Sequence, residues 1–246
     1  MPGFFGNLGA SSAVKRFADL YANFGLLNTM VVTLAMMDDY HLRTFDRRYG
    51  IRTSGHIELS ATSFEKSKLQ HATAYGPVNG WGFRRLLKHL QLQKSCGFVD
   101  LGSGLGRACF VAAEYGFSRV TGVELAPELC ATARENIASC RLPISQKERI
   151  RILEQDALEY CDAAEDGVFF MYRAFSLRFL ELVCEKVILR AKQLEKRLTI
   201  IYTERLGLPS ASVELLSNNA SLRNTFTYYS FGQAFYVYET NPESKT

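Results

Sequence analysis

The stretch from Cys96 to Asn136 constrains the fold of this chain more than any other. It reads CGFVDLGSGLGRACFVAAEYGFSRVTGVELAPELCATAREN: an apolar run ends at Asp100, a glycine-rich turn follows, and a helical pattern runs from Arg107 to Tyr115. A second apolar run then ends at Glu124. Strand, turn, helix and strand in this order predict a right-handed β-α-β unit and a parallel sheet.

The turn between Asp100 and Arg107 has the composition of a nucleoside-binding loop. Its three glycines carry no β-carbon, so a ligand can approach the backbone closely there. The N–H groups at the start of the following helix lie at its positive end. Glu124 ends the next strand, where a carboxylate can accept hydrogen bonds from both hydroxyls of a ribose. The unit therefore predicts a nucleoside site at the carboxyl end of the strands.

The spacing of the glycines separates this loop from two common phosphate-binding motifs. Dinucleotide-binding folds use Gly-x-Gly-x-x-Gly, and here the third glycine position is Arg107. The sequence contains no glycine-rich loop that ends in Lys-Ser or Lys-Thr, which disfavours a P-loop. A nicotinamide oxidoreductase is therefore a distant alternative.

The string Asp100-Leu-Gly-Ser-Gly-Leu-Gly106 resembles motif I of the class I S-adenosylmethionine (SAM)-dependent methyltransferases, and Val123-Glu124-Leu125 resembles the acidic motif that follows it. Motif I here is also similar to that of non-SET protein-lysine methyltransferases and of a group of small bacterial methyltransferases. The resemblance implies that the loop passes under the methionine and ribose of SAM and that Glu124 holds the ribose diol. The cofactor contacts that it implies are Asp100, Gly102, Ser103, Gly104, Gly106, Glu124 and Leu125.

Further strands and helices alternate along the rest of the chain. Apolar runs predict strands at 150–153, 168–172 and 198–203, and two alternating stretches around Gly232 predict a closing antiparallel pair. Together with the resemblance, this gives an α/β fold: a Rossmann-like seven-stranded, mostly parallel sheet with an antiparallel C-terminal hairpin, flanked by helices. We expect residues 75–246 to form a SAM-binding methyltransferase domain and residues 1–74 to form a helical N-terminal cap or lid.

Two other positions are candidate cofactor contacts. The resemblance implies that an acid after the third strand accepts a hydrogen bond from the adenine amino group, and Asp156, followed by Ala157, stands there. Asp156 also suits the N-cap of the next helix, and the two roles are compatible. Tyr75 lies in a turn that resembles the tyrosine-containing loop with which non-SET lysine methyltransferases close over SAM. The alternative for Tyr75 is a packing aromatic.

The acceptor side is less clearly marked in the sequence. The segment Tyr172–Ser176 follows a central strand, where class I enzymes place motif IV. It lacks the Asn/Asp-Pro-Pro-Tyr/Phe motif of enzymes that methylate exocyclic amines of nucleic acids, which disfavours that activity. We interpret Tyr172 as a wall of the acceptor channel and Glu204, at the end of the fifth strand, as a second candidate catalytic residue.

A basic segment, Thr44–Leu59, precedes the glycine loop and contains Arg47, Arg48 and Arg52. Its glycines predict an ordered loop rather than a helix or strand. It resembles a segment found before motif I in some bacterial methyltransferases. We consider a lid over SAM, a substrate contact and a solvated connecting loop as alternatives.

Composition excludes several function classes. The net charge of +4 permits an acidic partner without demanding nucleic acid, so we expect a protein or small-molecule methyl acceptor. The six cysteines form no Cys-x-x-Cys pair, and the four histidines show no ligand spacing, so we expect reduced core thiols and no metal site. The apolar run Phe24–Met37 is short for a membrane span. We therefore expect a cytoplasmic protein with no transmembrane segment.

Three hypotheses for the function follow. The first is a SAM-dependent methyltransferase that acts on a protein amine, with lysine as the acceptor. The second is a small-molecule O- or N-methyltransferase, whose pocket the N-terminal segment would cap. The third is a catalytically silent SAM-binding module, which the unusual Arg173-Ala174 after the fourth strand would fit.

Overall fold

One mixed sheet carries the fold. The computed structural model describes residues 40, 42–54, 76–205, 210–230 and 232–241. Its seven strands lie in the order β3-β2-β1-β4-β5-β7-β6. Strands β1 to β5 are parallel, and β7 pairs antiparallel with both β5 and β6. Their bounds are β1 Gly97–Leu101, β2 Arg119–Glu124, β3 Ile150–Glu154, β4 Val168–Tyr172, β5 Thr199–Arg205, β6 Leu222–Ser230 and β7 Gln233–Thr240. The predicted parallel sheet with an antiparallel C-terminal pair is confirmed.

Helices cover both faces of this sheet. In the described part of the chain they are α1 at 42–49, α2 Gly80–Leu90, α3 Arg107–Tyr115, α4 Pro127–Ser139, α5 Ile144–Lys147, α6 Ala157–Ala163, α7 Leu177–Leu194 and α8 Ala211–Asn218. Helices α2, α3 and α4 contribute to one hydrophobic cluster, and α6, α7 and α8 contribute to a second.

The central strands β1 and β4 explain why two cores form. Successive side chains of a strand point to opposite faces, and both faces are covered here. Phe98 and Phe170 therefore enter the cluster on the α2 face, whereas Val99 and Phe169 enter the cluster on the α7 face. This arrangement accounts for the continuous apolar runs from which the strands were predicted. It also fixes the carboxyl ends of β1, β2 and β4 at one edge of the sheet.

The prediction of a loop for Thr44–Leu59 is wrong for its first part, because residues 42–49 form helix α1. Phe45 and Tyr49, one helical turn apart, are buried in the cluster on the α2 face. Burial of such a side chain contributes roughly 1.5–3 kcal/mol, which outweighs the local preference of the sequence for a loop. The arginines 47 and 48 lie on the exposed side of this helix, and residues 50–54 are irregular.

A hydrogen-bond network fastens α1 to the sheet-covering helices. The hydroxyl of Tyr49 donates to the carboxylate of Glu114 on α3 and accepts from the guanidinium of Arg84 on α2. Arg84 Nε also donates to Glu114 Oε2 at 2.7 Å, and Arg48 Nη2 donates to Glu114 Oε1 at 3.0 Å. Burial, followed by the hydrogen bond to Glu114, raises the pKa of Tyr49, so its hydroxyl stays protonated. Residues 42–54 thus share a core with the sheet.

None of the helices in the described ranges is long and apolar enough to cross a membrane. The run Phe24–Met37 lies outside those ranges. Five of the six cysteines are buried as free thiols, and Cys96 is partly exposed. Burial raises the pKa of Cys161 and Cys184 to about 12, which keeps these two thiols protonated and unreactive.

Candidate active site

The glycine loop after β1 has an unusual backbone. Gly102, Gly104 and Gly106 adopt positive φ angles of 76°, 52° and 83°. These values lie in the left-handed region that other residues rarely enter, and Gly106 is the N-cap of α3. The loop folds back on β2, because the N–H groups of Gly102 and Ser103 both donate to the carbonyl of Val123. These hydrogen bonds join the loop to the carboxyl end of β2, and we call the two together the ledge.

Gly102 is required by packing as well as by its φ angle. A β-carbon at this position would lie 2.4 Å from the β-carbon of Ala174, in the loop after β4. The sequence predicts that the missing β-carbons let a ligand approach the backbone. At Gly102 the space is instead occupied by the segment that follows Tyr172. This contact brings the loops that follow β1 and β4 together.

Glu124 is held in place by three backbone N–H groups. Its Oε2 accepts from Gly104 N at 2.8 Å, and its Oε1 accepts from Leu125 N at 2.8 Å and Ala126 N at 2.9 Å. Burial raises its pKa, and these hydrogen bonds oppose the rise. A carboxylate has about four lone-pair sites and these bonds use three of them, so Oε2 retains one with which to accept from a ribose hydroxyl.

Asp100 is a buried carboxyl beside this carboxylate. Burial, followed by the charge of Glu124, raises its pKa from 3.8 to about 8. Cys109 Sγ lies 3.9 Å from its Oδ2. Within the described ranges neither Asp100 nor Glu124 has an ion-pair partner. A cationic ligand would lower the pKa of both groups, so the site fits SAM, which carries a sulfonium and an ammonium.

Other predicted cofactor contacts lie around this ledge. Ser103 is buried, and its hydroxyl has no hydrogen-bond partner among the residues that the structure describes. Asp156 Oδ1 accepts from Leu158 N at 2.7 Å and thereby caps α6, of which the buried Ala157 is the first residue. The capping role expected for Asp156 is thus present. Tyr75 lies outside the described residues.

Tyr172 ends β4 beside Gln233, a residue for which the sequence predicts no role. The hydroxyl of Tyr172 accepts a hydrogen bond from Gln233 Nε2 at 3.1 Å. Gln233 begins β7, is 2% exposed, and also contacts the segment before α2. No local motif marks it, because its partners are 61 to 156 residues away. The signal available in the sequence is a glutamine at the start of the otherwise largely apolar strand β7.

The two candidate catalytic residues, Tyr172 and Glu204, lie on different faces of the sheet. Tyr172 pairs with Thr203 across β4 and β5, and paired residues share a face. The next residue, Glu204, therefore points to the opposite face. Its carboxylate accepts from Ser210 Oγ at 2.5 Å and from Ser210 N at 3.4 Å. Ser210 is the N-cap of α8, so Glu204 orders the start of that helix.

Arg107, which distinguishes the loop from a dinucleotide-binding loop, has a structural role. Its side chain is 2% exposed, and it makes hydrogen bonds to Asp46 Oδ1, Thr53 Oγ1 and Ser54 Oγ at 2.7–3.0 Å. It also donates to the carbonyl of Val78 at 3.5 Å. We call Arg107 with Asp46, Thr53 and Ser54 the Arg107 clasp. It fastens residues 42–54 to the helix that begins at the glycine loop.

No cluster of His, Cys, Asp and Glu side chains suited to a metal ion occurs in the residues that the structure describes.

Comparison with known proteins gives one match to a protein family. A family model for the histone methylation protein DOT1 matches residues 54–144, which is less than half of the chain but includes the glycine loop and Glu124. No curated protein matches the sequence.

Two solved structures share the fold. An RNA methyltransferase from Salinibacter ruber, in complex with S-adenosyl-L-homocysteine, is 19% identical, with a TM-score of 0.50 over 70% of this chain and 97% of that chain. A magnesium protoporphyrin IX methyltransferase from Synechocystis PCC 6803, with bound SAM, is 12% identical, with a TM-score of 0.50 over 65% of this chain and 77% of that chain. At these identities the likeness concerns the fold. Together with the family-model match, it supports a class I methyltransferase with SAM as the cofactor.

Proposed function

We propose that this class I, Rossmann-like SAM-dependent methyltransferase transfers the methyl group of SAM to an amine of a protein, with a lysine side chain as the acceptor. One observation carries the choice of acceptor. The family model that matches residues 54–144, the part of the chain that contains the glycine loop and Glu124, describes histone methylation proteins. The likeness to solved structures supports the fold and favours no acceptor.

In this proposal the cofactor lies along the ledge formed by the glycine loop and the end of β2. Glu124 accepts from a ribose hydroxyl through the free lone pair of Oε2, because three backbone bonds already hold its carboxylate in one orientation. Asp100 supplies negative charge near the cationic part of SAM, and Asp156 accepts from the adenine amino group. The remaining assigned contacts are Gly102, Ser103, Gly104, Gly106, Leu125 and Ala157, with Tyr75 as a contact outside the described residues.

SAM supplies an activated methyl group, so the protein mainly has to orient the acceptor and keep its amine neutral. We assign the wall of the acceptor channel to Tyr172, which lies beside the loop that contacts Gly102 through Ala174. Glu204 is the second candidate, and to act on an acceptor its carboxylate would have to leave Ser210. We further propose a methyltransferase domain over residues 75–246 with residues 1–74 as its N-terminal segment, of which residues 42–54 pack into the core of the domain.

The experiment that tests the proposal follows radiolabelled methyl groups from SAM into a heated cell lysate, in which endogenous enzymes are inactive. After the reaction, one aliquot is treated with ribonuclease and another with protease. A third aliquot is filtered, so that the filtrate contains the small molecules. We expect label that survives ribonuclease, disappears with protease and is located on lysine Nζ by mass spectrometry. The Glu124→Ala variant is the matched control and should transfer little label.

Three other outcomes would contradict the proposal in different ways. Label that ribonuclease removes would identify a nucleic-acid acceptor. Label confined to the filtrate would identify a small-molecule methyltransferase. SAM binding without transfer to any fraction would identify a catalytically silent SAM-binding module.

A further inference from the structure

Gln233 makes three hydrogen bonds with one buried carboxamide. Its Oε1 accepts from Asn79 N at 2.8 Å, and its Nε2 donates to the carbonyl of Pro77 at 3.3 Å and to the hydroxyl of Tyr172 at 3.1 Å. The backbone partners fix which end of the amide is oxygen, because a backbone N–H can only donate and a carbonyl can only accept. The bond to Tyr172 is therefore donated by Gln233.

The position of Gln233 links three parts of the chain at one edge of the sheet. Pro77 and Asn79 lead into α2, Tyr172 ends β4, and Gln233 begins β7. The N-terminus of α2 is seated close to the β6–β7 connection, since a β-carbon on Gly82 would lie 2.6 Å from Ser230 Oγ. This close packing keeps the amide away from water, and Gln233 is 2% exposed.

Packing alone does not explain a buried amide at position 233. Burying it costs free energy that its hydrogen bonds only about offset, and an apolar side chain of similar volume would fill the space at no such cost. The amide adds a hydrogen-bond donor that points in a fixed direction. A donor fixed by Asn79 and Pro77 holds the Tyr172 hydroxyl at one place and turns the hydrogen of that hydroxyl away from Gln233.

We infer that Gln233 is a positioning residue for Tyr172: it orients the hydroxyl that the proposed function assigns to the acceptor channel and favours the ionised form of that hydroxyl. This inference rests on the proposed function for the role of Tyr172 in the channel. The contact itself is independent of the acceptor. A hydrogen bond donated to an oxygen favours its charged form, so Gln233 should lower the pKa of the Tyr172 hydroxyl.

The test places 3-fluorotyrosine at position 172 of the full-length chain and titrates it by fluorine NMR. We expect the Gln233→Leu variant to raise the apparent pKa of residue 172 by about half a unit or more, and to broaden its resonance, because the donor is lost. The matched control is Thr240→Val, at the other end of β7. Thr240 is also 2% exposed, and its hydroxyl accepts a hydrogen bond from Leu198 N, so this variant loses a buried bond on the same strand without touching Tyr172.

A second variant covers the case in which Gln233→Leu does not fold. Gln233→Glu keeps the length and the acceptor for Asn79 N–H, but it turns an oxygen toward Tyr172. It should raise the apparent pKa of residue 172 further than Gln233→Leu does. Identical titration curves for the parent and for Gln233→Glu, or equal shifts in Gln233→Leu and Thr240→Val, would overturn the inference.

Turnover separates this inference from the proposed function. On the acceptor that the lysate assay identifies, Gln233→Leu should lower kcat about tenfold or more, leave the KM for SAM within about twofold, and have little further effect in a Tyr172→Phe background. If Tyr172→Phe lowers kcat and Gln233→Leu does not, the positioning role fails and the proposed function stands. If Tyr172→Phe leaves kcat intact, the proposed role of Tyr172 fails whatever the NMR shows.

Discussion

Arg107 Nη2 lies 3.0 Å from Asp46 Oδ1, and the two side chains form an ion pair that is 2% and 15% exposed. A cation in the first turn of a helix is normally unfavourable, because the N-terminal end of the helix is positive. Here the charge is compensated by Asp46 and by the neutral acceptors of the clasp. The residue that distinguishes the loop from a dinucleotide site thus connects the N-terminal segment to the cofactor site.

The clasp predicts a large loss of stability in Arg107→Ala. The substitution leaves the partly buried Asp46 carboxylate without its cation, which costs about 3–5 kcal/mol for buried pairs. Arg107→Lys should fall between this variant and the parent, because one ammonium cannot serve the fork of acceptors that a guanidinium serves. Urea unfolding of the parent and the two variants measures both losses of stability.

Arg52→Ala is the matched control for this prediction. Arg52 pairs with Glu135, and both side chains are well exposed, so the loss should stay below about 1 kcal/mol. Equal losses in Arg107→Ala and Arg52→Ala would show that the clasp does not hold the N-terminal segment.

Asp100 predicts a specific dependence of stability on pH in the absence of SAM. Because its pKa rises from 3.8 to about 8 on folding, the folded protein binds the proton more tightly than the unfolded chain. The stability that Asp100 contributes is therefore present below pH 4 and is lost as the pH rises toward 8, by at most about 1.4 kcal/mol per pH unit. The Asp100→Asn variant has no carboxyl at this position and so lacks this pH-dependent contribution to stability.

We expect the unfolding free energy of Asp100→Asn to fall less between pH 5 and pH 8 than that of the parent, as measured by urea unfolding at several pH values. Glu124, whose pKa is raised by burial, is present in both proteins, so it changes the stability of both with pH in the same direction. Parallel pH profiles for parent and variant would contradict the burial of an uncompensated carboxyl at position 100.

Gly102 and Gly232 have the same φ of 76° but different surroundings, which allows the cost of the contact to be isolated. A β-carbon at Gly102 meets Ala174, whereas one at Gly232 meets no atom of the described residues within 4 Å. Gly232→Ala should cost only the backbone strain, about 1 kcal/mol, and Gly102→Ala should cost roughly 1–3 kcal/mol more. Adding Ala174→Gly to Gly102→Ala should recover most of that difference.

Thermal and urea unfolding of these variants checks the prediction. If Gly102→Ala and Gly232→Ala were equally stable, the loops after β1 and β4 would not be in the contact described here.

Tyr172 and Glu204 should behave differently when each is replaced conservatively. Tyr172→Phe is expected to lower kcat about tenfold, because the hydroxyl lies at the proposed channel. It should also cost about 1–3 kcal/mol of stability, because the buried Gln233 Nε2 loses an acceptor. Glu204→Gln is expected to lose about 0.5–2 kcal/mol of stability, the range for a helix cap, because its carboxylate holds Ser210. Kinetics and unfolding on the same samples make the comparison.

Ser210→Ala is the control for Glu204. If Glu204 acts through Ser210, the two variants lose similar stability and keep similar turnover. A large fall in kcat in Glu204→Gln alone would instead give Glu204 a direct role in the reaction.

The central β-α-β unit was predictable because its signals are local. The bounds predicted for α3 agree with the structure, since glycines at positions 106 and 116 mark its two ends. Helix α1 was missed because Phe45 and Tyr49 are stabilised by contacts with helices later in the chain, which local propensity does not reveal.

The same reason applies to the site. Glu124 and the glycines follow from spacing, so they could be identified in the sequence. Arg107 and Gln233 act through partners 29 to 156 residues away, and only the folded chain brings those partners together. The separation of Tyr172 from Glu204 depends on strand register, which the sequence does not show.

Calorimetric titration with SAM tests the central claim, that the ledge of the glycine loop and Glu124 binds this cofactor. The parent is compared with Glu124→Ala and with Glu135→Ala, whose side chain is 67% exposed. We predict that the parent binds SAM, that Glu124→Ala weakens binding by about 1–3 kcal/mol, or roughly 5- to 150-fold, and that Glu135→Ala leaves it unchanged. Absence of SAM binding in the folded parent, or equal affinity in the parent and Glu124→Ala, would contradict the account.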